Sequence, residues 1–264
     1  MSSGASGLTG AEARALIRNG RWRGPTAGLA PGYVQANLVI MPREHAFHFL
    51  AWCSRNSRPC PVLDVLEPGI AEPSIAPGAD LRTDLPRYRV YRGADAAAEE
   101  VEDIRAVWRE DLTSFLLGCS YTFEAALVRA GVPVRHWEAG SNVPMYITNI
   151  ATARAGPFAG PTVLSMRPVP GRLVARAVQV TSRFPGAHGA PLHVGGPADI
   201  GVRDLARPDF GDPPKMQTGD VPVFWACGVT SQVALAQSGL RFFIAHSPGH
   251  MFVSDIRDED LAVL

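Results

Sequence analysis

The side chains best equipped for chemistry are concentrated in the last third of the chain. Pro222-Val-Phe-Trp-Ala-Cys-Gly-Val-Thr-Ser-Gln232 is followed by His246-Ser-Pro-Gly-His-Met-Phe-Val-Ser-Asp255. Each couples a strand-like apolar run to a tight polar turn, the usual way a fold presents reactive groups on a rigid support. The turns carry Cys227, Thr230, Gln232, His246, His250 and Asp255, which can move protons, bind a carboxylate or hold a cation. His246 and His250 are four apart, yet Pro248 and Gly249 between them forbid the helix that makes such spacing a metal site. A divalent cation held by His246, His250 and Asp255 stays open as an alternative.

Further clusters lie upstream. Gly118-Cys-Ser-Tyr-Thr-Phe-Glu124 falls where one expected helical tract breaks and another begins. Free backbone N–H groups at such a start suit a carboxylate; Ser120 and Glu124 also read as an ordinary helix entry. Cys119 is either an activated thiolate or a small buried apolar side chain. In Asn142-Val-Pro-Met-Tyr-Ile-Thr-Asn149, Tyr146 and Asn149 either bind a ligand or satisfy backbone groups around an X-Pro turn. Arg167 closes an apolar strand as a carboxylate clamp or an ion pair. His193 and Asp199 share a glycine-rich stretch, as a base with its orienting carboxylate or as loop residues. His45, His48, His136 and His188 have no comparable setting, and Lys215, the only lysine, sits in a loop-like Asp-Pro-Pro-Lys that makes a Schiff-base role unattractive.

The elements that must position these groups alternate between helix and strand. Thr9 is an expected N-cap for a helix over Ala11–Asn19. Val34–Met41 reads as a strand, and Glu44–Arg55 as a helix with Phe47, Leu50 and Ala51 on one side. Pro59–Pro86 is proline-rich and irregular, and Arg87–Arg92 alternates as a half-exposed strand. Helix is expected over Ala98–Val107 and Asp111–Ala130, the latter interrupted near Gly118 and closed by Gly131 and Pro133. Strands are expected at Met145–Ile150, Thr162–Met166, Leu173–Thr181, Val221–Cys227, Leu240–Ala245 and Met251–Asp255, with a helix at Ser231–Gln237. The expectation is α/β or α+β, a mixed sheet with flanking helices in two interleaved lobes, forming one domain over 10–264 after a frayed 1–9.

Composition bounds the partners. The chain has 264 residues, 46% of them hydrophobic, with 25 basic and 25 acidic side chains and a net charge of +0. It lacks the basic excess that nucleic acid or an anionic membrane demands. No window resembles a membrane span or a secretory signal. Cys53, Cys60, Cys119 and Cys227 show no zinc spacing. A cytoplasmic protein with free thiols is expected, and a homodimer on base rate.

Six stretches together resemble a bacterial hydro-lyase family grouped with D-glutamate cyclase. They are Val34-Gln-Ala-Asn-Leu-Val-Ile-Met-Pro42, Phe115-Leu-Leu-Gly-Cys-Ser-Tyr-Thr-Phe-Glu124, Ser165-Met-Arg-Pro168, Pro191-Leu-His-Val-Gly195, Trp225-Ala-Cys-Gly-Val-Thr230 and His246-Ser-Pro-Gly-His-Met-Phe-Val253. They run in order from about Arg14 to the C-terminus, with small departures at Tyr121 and Gly196. The resemblance implies loss of water from a small amino diacid, as when D-glutamate closes to 5-oxo-D-proline. It implies an anchor for the α-carboxylate (Arg167, with N–H groups near Gly118–Ser120), a base for the ammonium (His193 or Glu124) and donors for the oxyanion (Asn149, Thr230 or backbone amides). It also implies an acid for the departing hydroxide (His246 or His250). Covalent catalysis by Cys119 or Cys227 is the lesser route.

Overall fold

The structure, a computed structural model, describes residues 7–93 and 97–263. Its elements are α1 (Gly10–Arg18), β1 (Tyr33–Pro42), α2 (Arg43–Arg55), β2 (Val62–Val65), β3 (Tyr88–Arg92), β4 (Glu99–Val101), β5 (Leu112–Gly118), α3 (Glu124–Arg129), α4 (Arg135–Ala139), β6 (Met145–Ala151), β7 (Pro161–Pro170), α5 (Val174–Ser182), β8 (His193–Val194), β9 (Asp220–Ala226), α6 (Val229–Ala236), β10 (Phe242–His246) and β11 (Phe252–Arg257). The expected frayed start at residues 1–9 lies, for residues 1–6, outside the described residues. At Thr9 the hydroxyl accepts from the Glu12 N–H while the Glu12 carboxylate accepts from the Thr9 N–H, a reciprocal cap that opens α1.

The strands form two sheets. The first runs β2-β5-β1-β10-β3-β4, with β11 also against β1, and the second runs β6-β7-β9-β8. Every described pairing is antiparallel, which refines the expected mixed sheet. The segment between β5 and β10 carries the whole second sheet, so the α/β arrangement is interleaved along the chain. β1 is buried from Val34 to Met41, as a strand covered on both faces must be. One face packs on Leu81, Leu85, Tyr88 and Leu112, the other on Phe49, Trp52, Phe115 and Phe158.

Four local expectations are corrected. Asp111–Ala130 is not one helical tract: Leu112–Gly118 is a strand in register with β1, buried throughout. Its continuous apolar run is what a strand buried on both faces looks like, and periodicity cannot separate that from helix. Ala98–Val107 is not helical either. Glu99–Val101 pairs with β3, where Arg89 on the neighbouring strand reaches Glu100 at 3.1 Å, and only Arg105–Val107 turns as a short 3-10 segment. Leu173–Thr181, expected as a strand, is mostly α5; Ala177 and Thr181 face inward at a spacing of four, and Thr181 Oγ1 accepts from Trp225 Nε1 at 3.0 Å. In α2 the inward face is Phe49, Trp52 and Cys53, while Phe47 is 76% exposed.

Candidate active site

The site begins where β5 runs out of the first sheet. Cys119 to Phe123 form a buried turn before α3, with the Thr122 N–H donating to the Cys119 carbonyl at 3.1 Å. The neighbouring turn, from β9 to α6, comes so close that a Cβ at Gly228 would overlap the Asn37 side chain. Asn37 Nδ2 in turn donates to the carbonyls of Leu117 at 3.3 Å and Gly118 at 2.8 Å. One amide of β1 therefore pins the ends of β5 and β9 together, and only glycine leaves room for it.

Beneath this junction lies a buried ion pair. Arg167 on β7 donates from Nε to Glu124 Oε1 at 2.8 Å, and Nη2 reaches the same oxygen. Nη2 also donates to Ser120 Oγ at 2.9 Å and Nη1 to Ser165 Oγ at 3.2 Å. Four of the five guanidinium N–H groups are thus taken by the chain itself. The guanidinium lies between two aromatic faces, 5.2 Å from the Phe123 ring centre and 5.4 Å from that of Trp225. Glu124 Oε2 accepts from Trp137 Nε1 at 2.6 Å, and His136 Nε2 lies 3.0 Å from Glu124 Oε1, off the line of a good hydrogen bond. Burial alone pushes the Glu124 carboxyl up, but His136 and Arg167 outweigh it and hold the group below its ordinary range. The pair presents a fixed, ionised carboxylate to an imidazole.

Cys119 and Cys227 pack near this pair with Tyr121, Val143, Met145, Val163, Val229 and Met251. Burial pushes the Cys227 thiol up to about 11 and Cys119 higher still, so both stay protonated at neutral pH. Tyr121 stacks near His136 and donates its hydroxyl to Asn142 Oδ1 at 2.7 Å. Asn142 Nδ2 donates to the Pro248 carbonyl at 3.2 Å, and its backbone N–H donates to Asp212 at 2.7 Å. Asn142 thereby joins the turn before α3, the turn between His246 and His250, and the loop preceding β9.

The structure joins Ser120, Glu124 and Arg167 by hydrogen bonds and packs Cys119 with Cys227 beside them. Thr230 is spent on the backbone of Val163 and Cys227. Gln232 donates to the His246 carbonyl at 2.9 Å, and His246 is buried against the Leu38 carbonyl. Burial lowers His246 to about 4 and also lowers His250, whose Nδ1 lies 3.1 Å from the Pro248 carbonyl. Asp255 is held by Arg14 at 2.9 and 3.1 Å, so the trio with His246 and His250 is not assembled; among the described residues no three His, Cys, Asp or Glu side chains are grouped as metal ligands. His193 on β8 lies against Phe224 and the Gly196 carbonyl. Tyr146 and Asn149 line two adjoining shallow clefts of about 290 and 420 Å³, where Tyr146 donates to the Leu205 carbonyl and Asn149 to that of Asp199. The lining of these clefts includes Arg203, Asp204 and Asp209 but no buried proton-moving pair.

A small hollow, about 10 Å³, reaches His136 and is lined also by Arg135, Asn142, Pro213, Pro214 and Lys215. Sequence reasoning missed His136, Arg135 and Lys215 in this role. The chain turn between α3 and α4 sets the contact from Glu124 to His136, and no fixed spacing announces it.

A family model described as D-glutamate cyclase matches residues 113–255. "Putative hydro-lyase GK2103" of Geobacillus kaustophilus is 58% identical over 261 residues, covering 98% of this chain and 99% of its own length. "Putative hydro-lyase" of Rubrobacter xylanophilus is 58% identical over 254 residues, 96% of this chain and 98% of its own. "Putative hydro-lyase YcsI" of Bacillus subtilis is 56% identical over the same coverage of each chain. Among the described residues no helix is long and apolar enough to cross a membrane.

Proposed function

This chain belongs to the D-glutamate cyclase family, and from that premise we propose that it closes D-glutamate into 5-oxo-D-proline with loss of water. The amino nitrogen attacks the side-chain carboxyl carbon, a C–N bond forms and a C–O bond breaks. The ammonium gives up two protons, and both leave with one carboxylate oxygen as water. The balance needs only a group that takes a proton and returns it. Because the ring closes within one molecule, holding the substrate folded supplies much of the acceleration.

The observation that carries this reading is the His136 ring, 3.0 Å from a buried, ionised Glu124 and forming a wall of the hollow. His136 takes the ammonium proton and delivers it to the departing oxygen. Glu124 orients the ring. Arg167, Ser120 and Ser165 keep Glu124 in place, and the aromatic faces of Phe123 and Trp225 keep water from the guanidinium. In this scheme Arg167 positions the carboxylate instead of gripping substrate, and the thiols of Cys119 and Cys227 pack without forming an acyl bond.

The test is to incubate the protein with D-glutamate and L-glutamate and follow 5-oxoproline by chiral chromatography. We expect product from D-glutamate, falling about 10²- to 10⁴-fold in His136→Gln, the range for one general acid–base group. Absence of product from D-glutamate, with turnover of a hydroxy acid instead, would overturn the cyclase reading. Product formation undiminished in His136→Gln would overturn the assignment of the base.

A further inference from the structure

We propose that Lys215 recognises the carboxylate of the substrate that does not react, from a roof loop that must lift to admit it. This rests on the reading of His136 and Glu124 as the reacting centre. The hollow beside them is walled by Arg135, His136, Asn142 and Lys215, and no carboxylate lines it. The acids nearby are engaged elsewhere: Asp220 faces Arg135 at 3.4 Å and the Gln217 N–H at 3.0 Å, Glu138 faces Arg135 at 3.5 Å, and Asp212 accepts from Asn142. Lys215 has no ion-pair partner among the described residues and is exposed at its own position. An anion entering here meets uncompensated positive charge on one wall and the imidazole on another.

One buried polar atom on this wall lacks a partner: Arg135 Nε makes no hydrogen bond among the described residues, whereas His136 Nε2 faces Glu124 Oε1 at 3.0 Å. Buried polar groups are seldom left unsatisfied without a use. A diacid lying between Lys215 and His136 would give Arg135 Nε a partner. Lysine suits this task as a compact point charge on a flexible stem, able to follow a carboxylate as the roof closes. In a chain whose other 24 of 25 basic residues are arginine, the single departure stands at this hollow.

The hollow of about 10 Å³ holds roughly one water, far less than a diacid needs. Its roof, Pro213 to Met216, is held by no hydrogen bond of its own among the described residues. It is tied only at its ends, where Asp212 exchanges bonds with Asn142 at 2.7 and 3.3 Å and Gln217 exchanges bonds with Asp220 at 3.0 Å. Lifting it breaks no hydrogen bond of residues 213–216 among the described residues, a condition for a closing segment.

The experiment measures binding of glutarate, a diacid that cannot cyclise, by calorimetry at fixed ionic strength. It compares the full chain with Lys215→Met, Lys215→Arg and, on the outer clefts, Arg203→Met. We expect Lys215→Met to weaken glutarate at least tenfold, Lys215→Arg to restore part of the loss, and Arg203→Met to change nothing. With D-glutamate, Lys215→Met should raise KM at least tenfold and leave kcat within about threefold. Glutarate that binds Lys215→Met as well as the unaltered chain, or does not bind the unaltered chain, overturns the proposal. If D-glutamate is not turned over but glutarate binding depends on Lys215, the cyclase reading falls and the carboxylate site stands.

Discussion

Lowering the pH from 7 to 5.5 sets two buried histidines against one buried aspartate, and substitution separates them. Burial lowers His188 and His246 from 6.5 to about 4, and both rings are fully covered. His188 Nδ1 meets the Arg58 carbonyl at 2.7 Å and Nε2 has no partner, as a neutral ring requires. Between pH 6.5 and 4 the unfolded chain takes up these protons and the folded chain does not. Stability therefore falls as pH falls, by about 1.2 kcal/mol for each ring between pH 7 and 5.5. His250, lowered too, adds in the same sense. Asp258 acts oppositely. Burial raises its carboxyl from 3.8 to about 7, so the folded chain gains a proton there while the unfolded chain stays ionised, which adds about 1.6 kcal/mol by pH 5.5. The unaltered protein should show a net loss of only about 1 kcal/mol. Asp258→Asn should lose about 2.5 kcal/mol over the same interval, while His188→Gln/His246→Gln should gain. Urea unfolding midpoints at half-unit steps of pH measure this; each single histidine variant carries half the effect. If the paired histidine variant still weakens toward pH 5.5 as the unaltered chain does, the argument from buried neutral rings is refuted.

Three further outcomes follow from the site. Glu124→Gln leaves Arg167 charged and uncompensated in the interior and should cost about 3–5 kcal/mol in urea unfolding, while Glu124→Gln/Arg167→Met should recover a large part of it; additive losses would contradict the buried pair. Cys119→Ser and Cys227→Ser should each keep turnover within about tenfold, and iodoacetamide at pH 7 should not inactivate the folded protein, since both thiols are held protonated; complete loss would favour an acyl-thiol route. Gly228→Ala drives a methyl into Asn37, so its thermal midpoint should drop by many degrees, and an unchanged midpoint would count against the close approach at that turn.

Sequence reasoning reached the parts of the fold whose signals are local. The cap at Thr9, the strand at Val34–Met41, the stop at Gly131 and the helix after Cys227 all follow from a few neighbouring residues. It failed where tertiary burial decides. Leu112–Gly118 has no alternation because both faces are covered, and α5 contains β-branched residues whose inward side is set by Trp225 across the core. The site divides the same way. Glu124, Arg167 and Ser120 were legible because a buried strand end and a helix entry each announced themselves. Their mutual pairing was not, since it joins residues 43 and 47 positions apart. His136 was passed over because its only distinction is the carboxylate it faces.

β1 occupies the middle of the first sheet, and one of its edges is covered solely by β10 and β11, more than 200 residues later in the chain. During synthesis that long apolar strand has no partner on this side until residues 242–257, two collinear strands that both run antiparallel to it, have been made. The sheet therefore closes late in synthesis, and a chain cut before Phe242 would carry an open, aggregation-prone seam.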